Sequence, residues 1–174
     1  MKKLSLLFIA FLLVGAGCTV AEEDVVVLDF IDCVDAGNPV MESYPRQCRH
    51  GDETFVEDVG NELEVMDKIQ ISYPRPGATI SSPLNIEGTA VGTWYFEATF
   101  PVVLVDWDGL IIAEGYATAN GDWMTEDFVP FTATLEFETP TLYDNGALIL
   151  QKDNPSGLPE YDAALEIPII FESM

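Results

Sequence analysis

Basic side chains are scarce in this sequence of 174 residues. Seven Lys and Arg residues and a single His stand against 30 Asp and Glu residues, which gives a formal net charge of −23 at pH 7. Proteins hold nucleic-acid phosphates and anionic lipid headgroups with clusters of Lys and Arg, and an acidic surface repels both. The composition therefore excludes nucleic acid as a partner.

The short motifs of several enzyme classes are also absent. The sequence has no G-x-S-x-G nucleophile turn and no phosphate-binding glycine loop of the GxxxxGK[ST] or GxGxxG type. Its only histidine, His50, lies far along the chain from the Ser residues of the later, strand-rich part. Carboxylate pairs, which glycosidases use, are too numerous among 30 acids to single out one pair. We therefore expect no enzyme activity and no cofactor, with a carboxylate-based glycan hydrolase as the catalytic alternative.

Long hydrophobic runs are missing as well. The main apolar run begins after Lys2 and Lys3 and covers residues 4–17. It is shorter than the roughly 18 to 20 residues that a membrane-spanning helix needs. A positive start, a short apolar stretch and small residues at its end are typical of a secretory signal peptide.

The small residues that end this run directly precede Cys18. This arrangement resembles the lipobox of bacterial lipoproteins, in which the cysteine is acylated and becomes the new N-terminus. Gly15 departs from that pattern, because the family usually has Leu there. The resemblance implies a lipoprotein signal peptide over residues 1–17, lipidation of Cys18, and a polar, acidic tether over residues 18–30. The alternative is an ordinary secretory signal with an incidental cysteine.

A lipid-modified cysteine also predicts where the protein resides. Buried acyl chains hold a folded domain at a bilayer without a spanning helix, and each methylene contributes about 0.8 kcal/mol. We therefore expect a cell-envelope protein that its lipid anchor attaches to a membrane. Its folded part is expected to face the extracytoplasmic side.

Two cysteines remain, Cys33 and Cys48. An exported chain resides in a compartment that permits disulfides, so we predict that these two are paired. Closing a loop of this size contributes about 3 kcal/mol to stability in the chain-entropy model. A metal site is the weaker alternative, because the chain has one histidine and no CxxC spacing.

The region around this pair, residues 31–60, is rich in turn-forming residues. Its sequence "CVDAGNPVMESYPRQCRHGDETFVE" resembles a small cysteine-loop motif found near the N-termini of bacterial envelope proteins, and that resemblance implies no chemistry. Arg46, Arg49 and His50 form its basic cluster. The cluster could bind a carboxylate or phosphate, but we favour internal pairing with the nearby acids.

The tetrapeptide Ser-Tyr-Pro-Arg occurs twice, at residues 43–46 and 72–75. We interpret the match as coincidence, since repeat architectures need longer periods that recur several times. Between the two copies, the acidic stretch 61–67 is the predicted domain boundary.

From Lys68 onward, short β-like runs alternate with Gly, Pro, Asn and Asp. Residues 69–73 alternate apolar and polar side chains, as a half-buried strand does, and Asp108-Gly109 is typical of a hairpin turn. Pro101 is tolerated only at an edge or near the start of a strand. The predicted strands are residues 69–73, 84–88, 94–100, 102–105, 110–117, 129–137, 147–151 and 164–171.

Short strands without an amphipathic helical window between them indicate antiparallel sheets packed as a sandwich, an all-β fold. No Cys…Trp…Cys pattern lies in this region, so apolar packing must stabilise it. The predicted core residues are Trp94, Phe96, Phe100, Trp107, Phe131, Leu135, Phe137, Leu148, Leu150, Ile167, Ile169 and Ile170.

Several segments of this region carry a family resemblance. They read "ISYPRPGATISSPLNIEGTA", "WYFEATFPVVLVDWDGLIIAEGYATA", "FTATLEFETP" and "GALILQKDNPSG". Together they look like the immunoglobulin-like domain of bacterial spore germination, the Gmad2 family. The resemblance implies an immunoglobulin-like antiparallel β-sandwich over residues 68–174 and a non-catalytic envelope module.

Calcium is the one cofactor that the acids of the predicted loops could bind. The residues concerned are Asp106, Asp108, Asp122, Glu126 and Asp127. The EF-hand pattern is absent, and Asp at a hairpin turn has a conformational reason to be there. We therefore favour turn formation and predict no metal site.

These observations lead to one functional hypothesis and two alternatives. We expect a lipid-anchored envelope protein whose sandwich binds another protein or the cell wall through loops or a strand edge. A purely structural envelope lipoprotein is the first alternative, and the glycan hydrolase is the second.

Overall fold

The computed structural model describes residues 26–173 and contains two parts. The N-terminal module, residues 26–60, has one helix and one small sheet. Helix α1 spans Phe30–Asp35, and the strands β1 (Val40–Met41), β2 (Gln47–His50) and β3 (Glu53–Val56) pair antiparallel in that order.

Local sequence accounts for the limits of these elements. The Asp29 side chain caps α1 by accepting a hydrogen bond from the Asp32 amide at 2.8 Å. The helix ends before Gly37, whose φ of 77° suits glycine, and Gly51, with φ 59°, lies in the turn between β2 and β3. The turn-rich sequence predicted both interruptions.

The predicted disulfide is confirmed. It joins Cys33 on α1 to Cys48 on β2, and both residues are fully buried beside Phe30. A module with so few buried apolar side chains cannot build a sufficient core of its own, so the cross-link holds its helix to its sheet.

The second part is a sandwich of eight strands, preceded by the short helix α2 (Glu62–Val65). Two short 3-10 helices, Gly92–Trp94 and Pro159–Tyr161, lie in its connections. The strands are β4 (Ile69–Tyr73), β5 (Thr79–Ile80), β6 (Leu84–Val91), β7 (Thr99–Asp106), β8 (Ile111–Ala119), β9 (Phe128–Leu135), β10 (Asn145–Gln151) and β11 (Ala164–Phe171).

Hydrogen bonding follows the order β4-β6-β9-β8-β7-β10-β11-β5. Strands β4, β6 and β9 form one layer and the other five form the second. The hydrogen-bonded ladder passes between the layers at a corner, where β8 and β9 share two residue pairs. All pairs are antiparallel except β5 with β11. The predicted all-β, immunoglobulin-like sandwich with a disulfide-closed N-terminal segment is confirmed.

The first edge of the sandwich crosses from one layer to the other. Strand β4 pairs with β6, and β5 then pairs with β11 in the opposite layer. Gly77 lies in the connection with φ 71°, and its amide donates to the Pro168 carbonyl at 2.8 Å. The chain between β4 and β5 therefore closes one side of the core.

Most of the predicted core is buried in one apolar cluster: Trp94, Phe100, Phe131, Leu135, Leu148, Leu150, Ile167 and Ile169. Two predictions were wrong, because Phe96 is 42% exposed and Trp107 is 44% exposed, both in turns. Phe137 and Ile170 are only partly buried. Along β11 the inward positions alternate through Ile169 and Phe171, which places Ile170 on the outer face.

The strand predicted over residues 94–100 was also wrong. Its first residue ends a 3-10 helix, and Phe96 and Thr99 pair across a tight turn at Glu97 and Ala98, which have φ of 51° and 65°. Strand β7 begins only at Thr99. The prediction failed because Glu-Ala lacks the Asn or Gly that usually marks a turn with positive φ.

The stretch 61–67, predicted as a boundary, packs against β11. Asn61 donates its side-chain amide to the Ala164 carbonyl at 2.9 Å and accepts from the Glu166 amide at 2.8 Å. Gly60 comes so close to β11 that a Cβ would lie 1.9 Å from the Glu166 carbonyl oxygen. The chain therefore enters the sandwich along a fixed path.

An ionic contact centred on one buried carboxylate joins the module to the sandwich, and its two partners, Arg75 and Tyr44, are about half exposed. Glu62 on α2 is 6% exposed, and both its carboxylate oxygens accept from the Arg75 guanidinium, at 2.8 and 3.0 Å. The Tyr44 hydroxyl, from the module, donates to Glu62 and accepts from Arg75 at 2.7 Å. We call Tyr44, Glu62 and Arg75 the junction triad.

Glu62→Gln keeps the shape of the junction triad but removes the charge that Arg75 faces. We expect the free energy of unfolding to fall by about 2 kcal/mol, as when a buried charged hydrogen bond is lost. This loss is measured by urea unfolding of Glu62→Gln, of Arg75→Met and of the double variant. The double variant should lose less free energy of unfolding than the two single variants together. Asp67→Asn, which breaks the exposed ion pair with Lys68, is the control and should change little. An equal effect in variant and control would contradict this role.

The junction triad also predicts a loss of stability in alkali. Burial, together with the hydrogen bond to Glu62, raises the pKa of Tyr44 from 10.0 to about 12. The unfolded chain therefore releases this proton first, so the contribution is intact below about pH 10 and is lost as the pH rises toward about 12. Tyr44→Phe should flatten this decline in urea unfolding. Part of the alkaline decline should persist, because burial also raises the pKa of Tyr95 to about 12.

Tyr116→Phe, at an exposed position on β8, is the control and should leave the decline unchanged. An unchanged slope in Tyr44→Phe would contradict the assignment to Tyr44.

Candidate binding surface

A cleft of about 590 Å³ separates the N-terminal module from the sandwich. The module contributes Phe30, Ile31 and Val56 to its walls, and the sandwich contributes Pro168 and Ile170 from the last strand. Volumes of this size are typical of ligand pockets, and the walls are mainly apolar. The geometry suits an apolar group of a partner.

One ion pair lies in the cleft wall. Arg46 contacts the Glu57 carboxylate through two side-chain hydrogen bonds, and its guanidinium lies over the Phe30 ring at 5.2 Å. The Arg46 hydrogen bonds hold the pKa of the Glu57 carboxyl below its usual value. The positive charge of Arg46 is thus used internally, as predicted for this basic residue.

The rim of the cleft carries the remaining charge. Asp29, Asp58 and Asp144 line it and are exposed, and Arg46 is the one basic residue among the lining residues. Since Arg46 is neutralised by Glu57, the three rim carboxylates have no ion-pair partner among residues 26–173. The cleft therefore combines apolar walls with negative potential.

A second apolar surface lies at the adjoining end of the sandwich. It consists of Trp107 and Leu110, in the turn between β7 and β8, and of Leu142 and Tyr143, before β10. The Trp107 and Tyr143 rings contact each other edge to face with centroids 4.6 Å apart. All four side chains are between 44% and 71% exposed. We call these four residues the apolar end.

Asp106 shapes the turn that presents Trp107. Its carboxylate accepts from the amides of Asp108 at 3.0 Å and of Leu110 at 2.9 Å. Asp144 lines both the cleft and the smaller pocket beneath residues 139–144, so the cleft and the apolar end adjoin each other. The prediction of Trp107 as a core residue overlooked its place between Asp106 and Asp-Gly, a turn signal.

The five acids considered for calcium do not meet. Asp106 and Asp108 lie before β8, whereas Asp122, Glu126 and Asp127 lie after it, and a strand of nine residues separates the two groups by roughly 25 Å. Asp122 accepts from the Met124 amide at 3.1 Å, again as a turn residue. Among residues 26–173, no cluster of three or more His, Cys, Asp or Glu side chains is placed to hold a metal.

The other two members of the basic cluster form only local contacts. Arg49 donates to the Gly51 carbonyl at 3.3 Å, and a ring nitrogen of His50 lies 3.2 Å from the Asn38 side-chain oxygen. Both residues are exposed. Internal ion pairing thus applies to Arg46, while Arg49 and His50 remain at the surface.

The sequence did not single out the acids of the cleft. Asp29, Asp58 and Asp144 are three of 30 acids and are far apart along the chain. Only the docking of the module on β11 brings them to one rim. The predicted lipidation site Cys18 and signal peptide, residues 1–17, lie outside the described residues, and no helix within the described part is long and apolar enough to cross a membrane.

Comparison with known proteins yields one family. The model of the Gmad2 family, described as the immunoglobulin-like domain of bacterial spore germination, matches residues 68–157. No curated protein and no solved structure matches the chain. The match begins at Lys68, directly before β4, and includes β4 to β10, so the N-terminal module precedes the matched region. The sequence resemblance is confirmed, and the chain belongs to the Gmad2 family, the immunoglobulin-like domain of bacterial spore germination.

Proposed function

We propose that this protein is a lipid-anchored component of the cell envelope whose immunoglobulin-like sandwich binds another protein. The observation that carries the proposal is the apolar end, where Trp107, Leu110, Leu142 and Tyr143 are exposed together. Clustered exposed apolar side chains, rich in Trp and Tyr, are typical of protein interfaces. The adjoining cleft enlarges this surface.

The proposal describes binding and not catalysis. The family is linked to spore germination, and domains of this immunoglobulin-like kind are generally non-catalytic. The single histidine, His50, is exposed, and among the described residues its ring nitrogen contacts the side-chain oxygen of Asn38, which is not a nucleophile. Nothing in the described residues favours the hydrolase alternative.

The anchor in this proposal is Cys18. Acylation there would hold the folded part beside a membrane, with the N-terminal module between the anchor and the sandwich. A bound partner would then be kept at the membrane surface.

Labelled palmitate tests the anchor. We expect cells that produce the full chain to label it in the membrane fraction, and Cys18→Ser to abolish the label. The double variant Cys33→Ser/Cys48→Ser keeps Cys18 and is the matched control, which should stay labelled. An unlabelled wild-type chain of full length in the cytosolic fraction would refute both the anchor and the proposed location.

Photocrosslinking tests the binding. With a photoreactive residue at Leu110 in intact cells, we expect one protein partner to be crosslinked. Trp107→Ser/Tyr143→Ser should lower the yield about tenfold, as loss of aromatic anchors does. The control is Met124→Ser/Tyr161→Ser, which changes two residues elsewhere that are at least as exposed.

The alternatives give different results in this experiment. A purely structural lipoprotein yields no specific crosslink from Leu110. A cell-wall partner yields crosslinked material that resists protease and is degraded by a muramidase. Either result would contradict a protein partner at the apolar end.

A further inference from the structure

The cleft suggests what kind of segment a partner presents. Its sandwich wall comes from the start of β10 and the end of β11, and its other wall comes from the N-terminal module, which precedes the region matched by the family. The module therefore converts one side of a family domain into a groove.

We propose that this cleft binds a peptide segment of a partner protein in which Lys or Arg residues alternate with aliphatic residues. The inference rests on the proposed function and assigns a role to the cysteine-closed module. The module supplies half of a recognition groove that the sandwich alone lacks.

Aliphatic side chains of the segment match the cleft walls. Ile31 and Val56 line the groove on the module side, and Pro168 and Ile170 line it on the sandwich side. The groove is open to water, so Ile31 is still 50% exposed and Val56 is 55% exposed. Filling the groove with aliphatic groups would remove this apolar area from water. The volume of about 590 Å³ accommodates several side chains.

Basic side chains of the segment match the rim. Asp29, Asp58 and Asp144 lie along it, while the charge of Arg46 is taken by Glu57. Lysine or arginine from a partner would face three carboxylates that have no ion pair within the described part of the chain. Charge complementarity of this kind selects the sign of the partner.

Two other occupants have the wrong charge. Residues 22–24 of this chain are Glu-Glu-Asp, and a second copy carries the same formal charge of −23. Each would bring more carboxylates to a negative rim. A basic segment of another protein is the occupant that the electrostatics favour.

The groove is also fixed before binding. Asn61, directly after the module, bonds to β11, and the next residue, Glu62, is held by Arg75 of the sandwich and by Tyr44 of the module. A preformed groove avoids the entropy cost of ordering its walls when the ligand arrives.

A synthetic ten-residue peptide of alternating Lys and Leu is the probe, and the full chain purified in detergent is the receptor. Amide chemical shifts from NMR locate the bound peptide, and titration gives its Kd. We expect shifts at α1, β3, residues 144–146 and the end of β11. The same peptide with Glu in place of Lys should not bind.

Two triple variants separate the groove from general acidity. Asp29→Asn/Asp58→Asn/Asp144→Asn removes the rim charge and keeps the side-chain oxygens that bond to nearby amides. We expect about tenfold weaker binding. The control, Asp122→Asn/Glu126→Gln/Asp127→Asn, removes the same charge at the opposite end and should leave the Kd within about twofold of the wild-type value.

A pair of double variants tests the apolar walls. Ile31→Ser/Val56→Ser should weaken binding about tenfold, because both side chains lose their apolar contact. Met124→Ser/Leu158→Ser changes exposed residues far from the groove and should leave the binding of the peptide unchanged. All four positions are exposed, so these substitutions leave the buried clusters intact.

Three results would overturn the inference: no binding of the Lys-Leu peptide, shifts spread over the acidic surface, or equal weakening by both triple variants. The proposed function is judged separately by the crosslink at Leu110. A partner captured there that gives no crosslink from a photoreactive residue at Ile31 would leave the proposed function standing and refute the groove.

Discussion

The contact on which the arrangement depends is the buried carboxylate of Glu62. A carboxylate at 6% exposure is costly unless its oxygens are bonded, and here both accept from Arg75 while Tyr44 donates as well. Arg75 lies where the chain crosses between the two layers, and Tyr44 lies in the N-terminal module. One ionic contact therefore fixes the crossing of the sandwich edge and the position of the module together.

The two Ser-Tyr-Pro-Arg tetrapeptides meet at this contact. The first supplies Tyr44 and the second supplies Arg75. Each arginine is held by a glutamate and lies over an aromatic ring, Arg46 at 5.2 Å from Phe30 and Arg75 at 5.5 Å from Tyr44. The surroundings differ, since one copy precedes β2 and the other spans the end of β4. The copies thus share a local contact pattern without a repeated fold.

Local sequence signals predicted the sandwich and the disulfide, because alternation, turns and cysteine pairing are short-range features. They failed at residues 94–100, where Glu97 and Ala98 take positive φ without a turn-forming residue, and at Trp107, whose hydrophobicity outweighed its turn context. The candidate surface was less predictable. Its acids come from the module and from the residue before β10, so their proximity follows from the long-range contact of Asn61 with β11.

The scarcity of basic residues has a structural counterpart. Within residues 26–173, each Lys and Arg contacts an acceptor of the same chain: Arg46, Arg49, Lys68, Arg75 and Lys152. The excess carboxylates therefore set the sign of the surface, and long-range attraction acts on basic partners alone. Such attraction mainly speeds encounter and is screened over about 8 Å at physiological salt. A long-lived complex must therefore depend on apolar contacts that exclude water. The cleft beside the apolar end combines apolar walls with negative charge, so it matters more for binding than the acidic residues elsewhere on the surface.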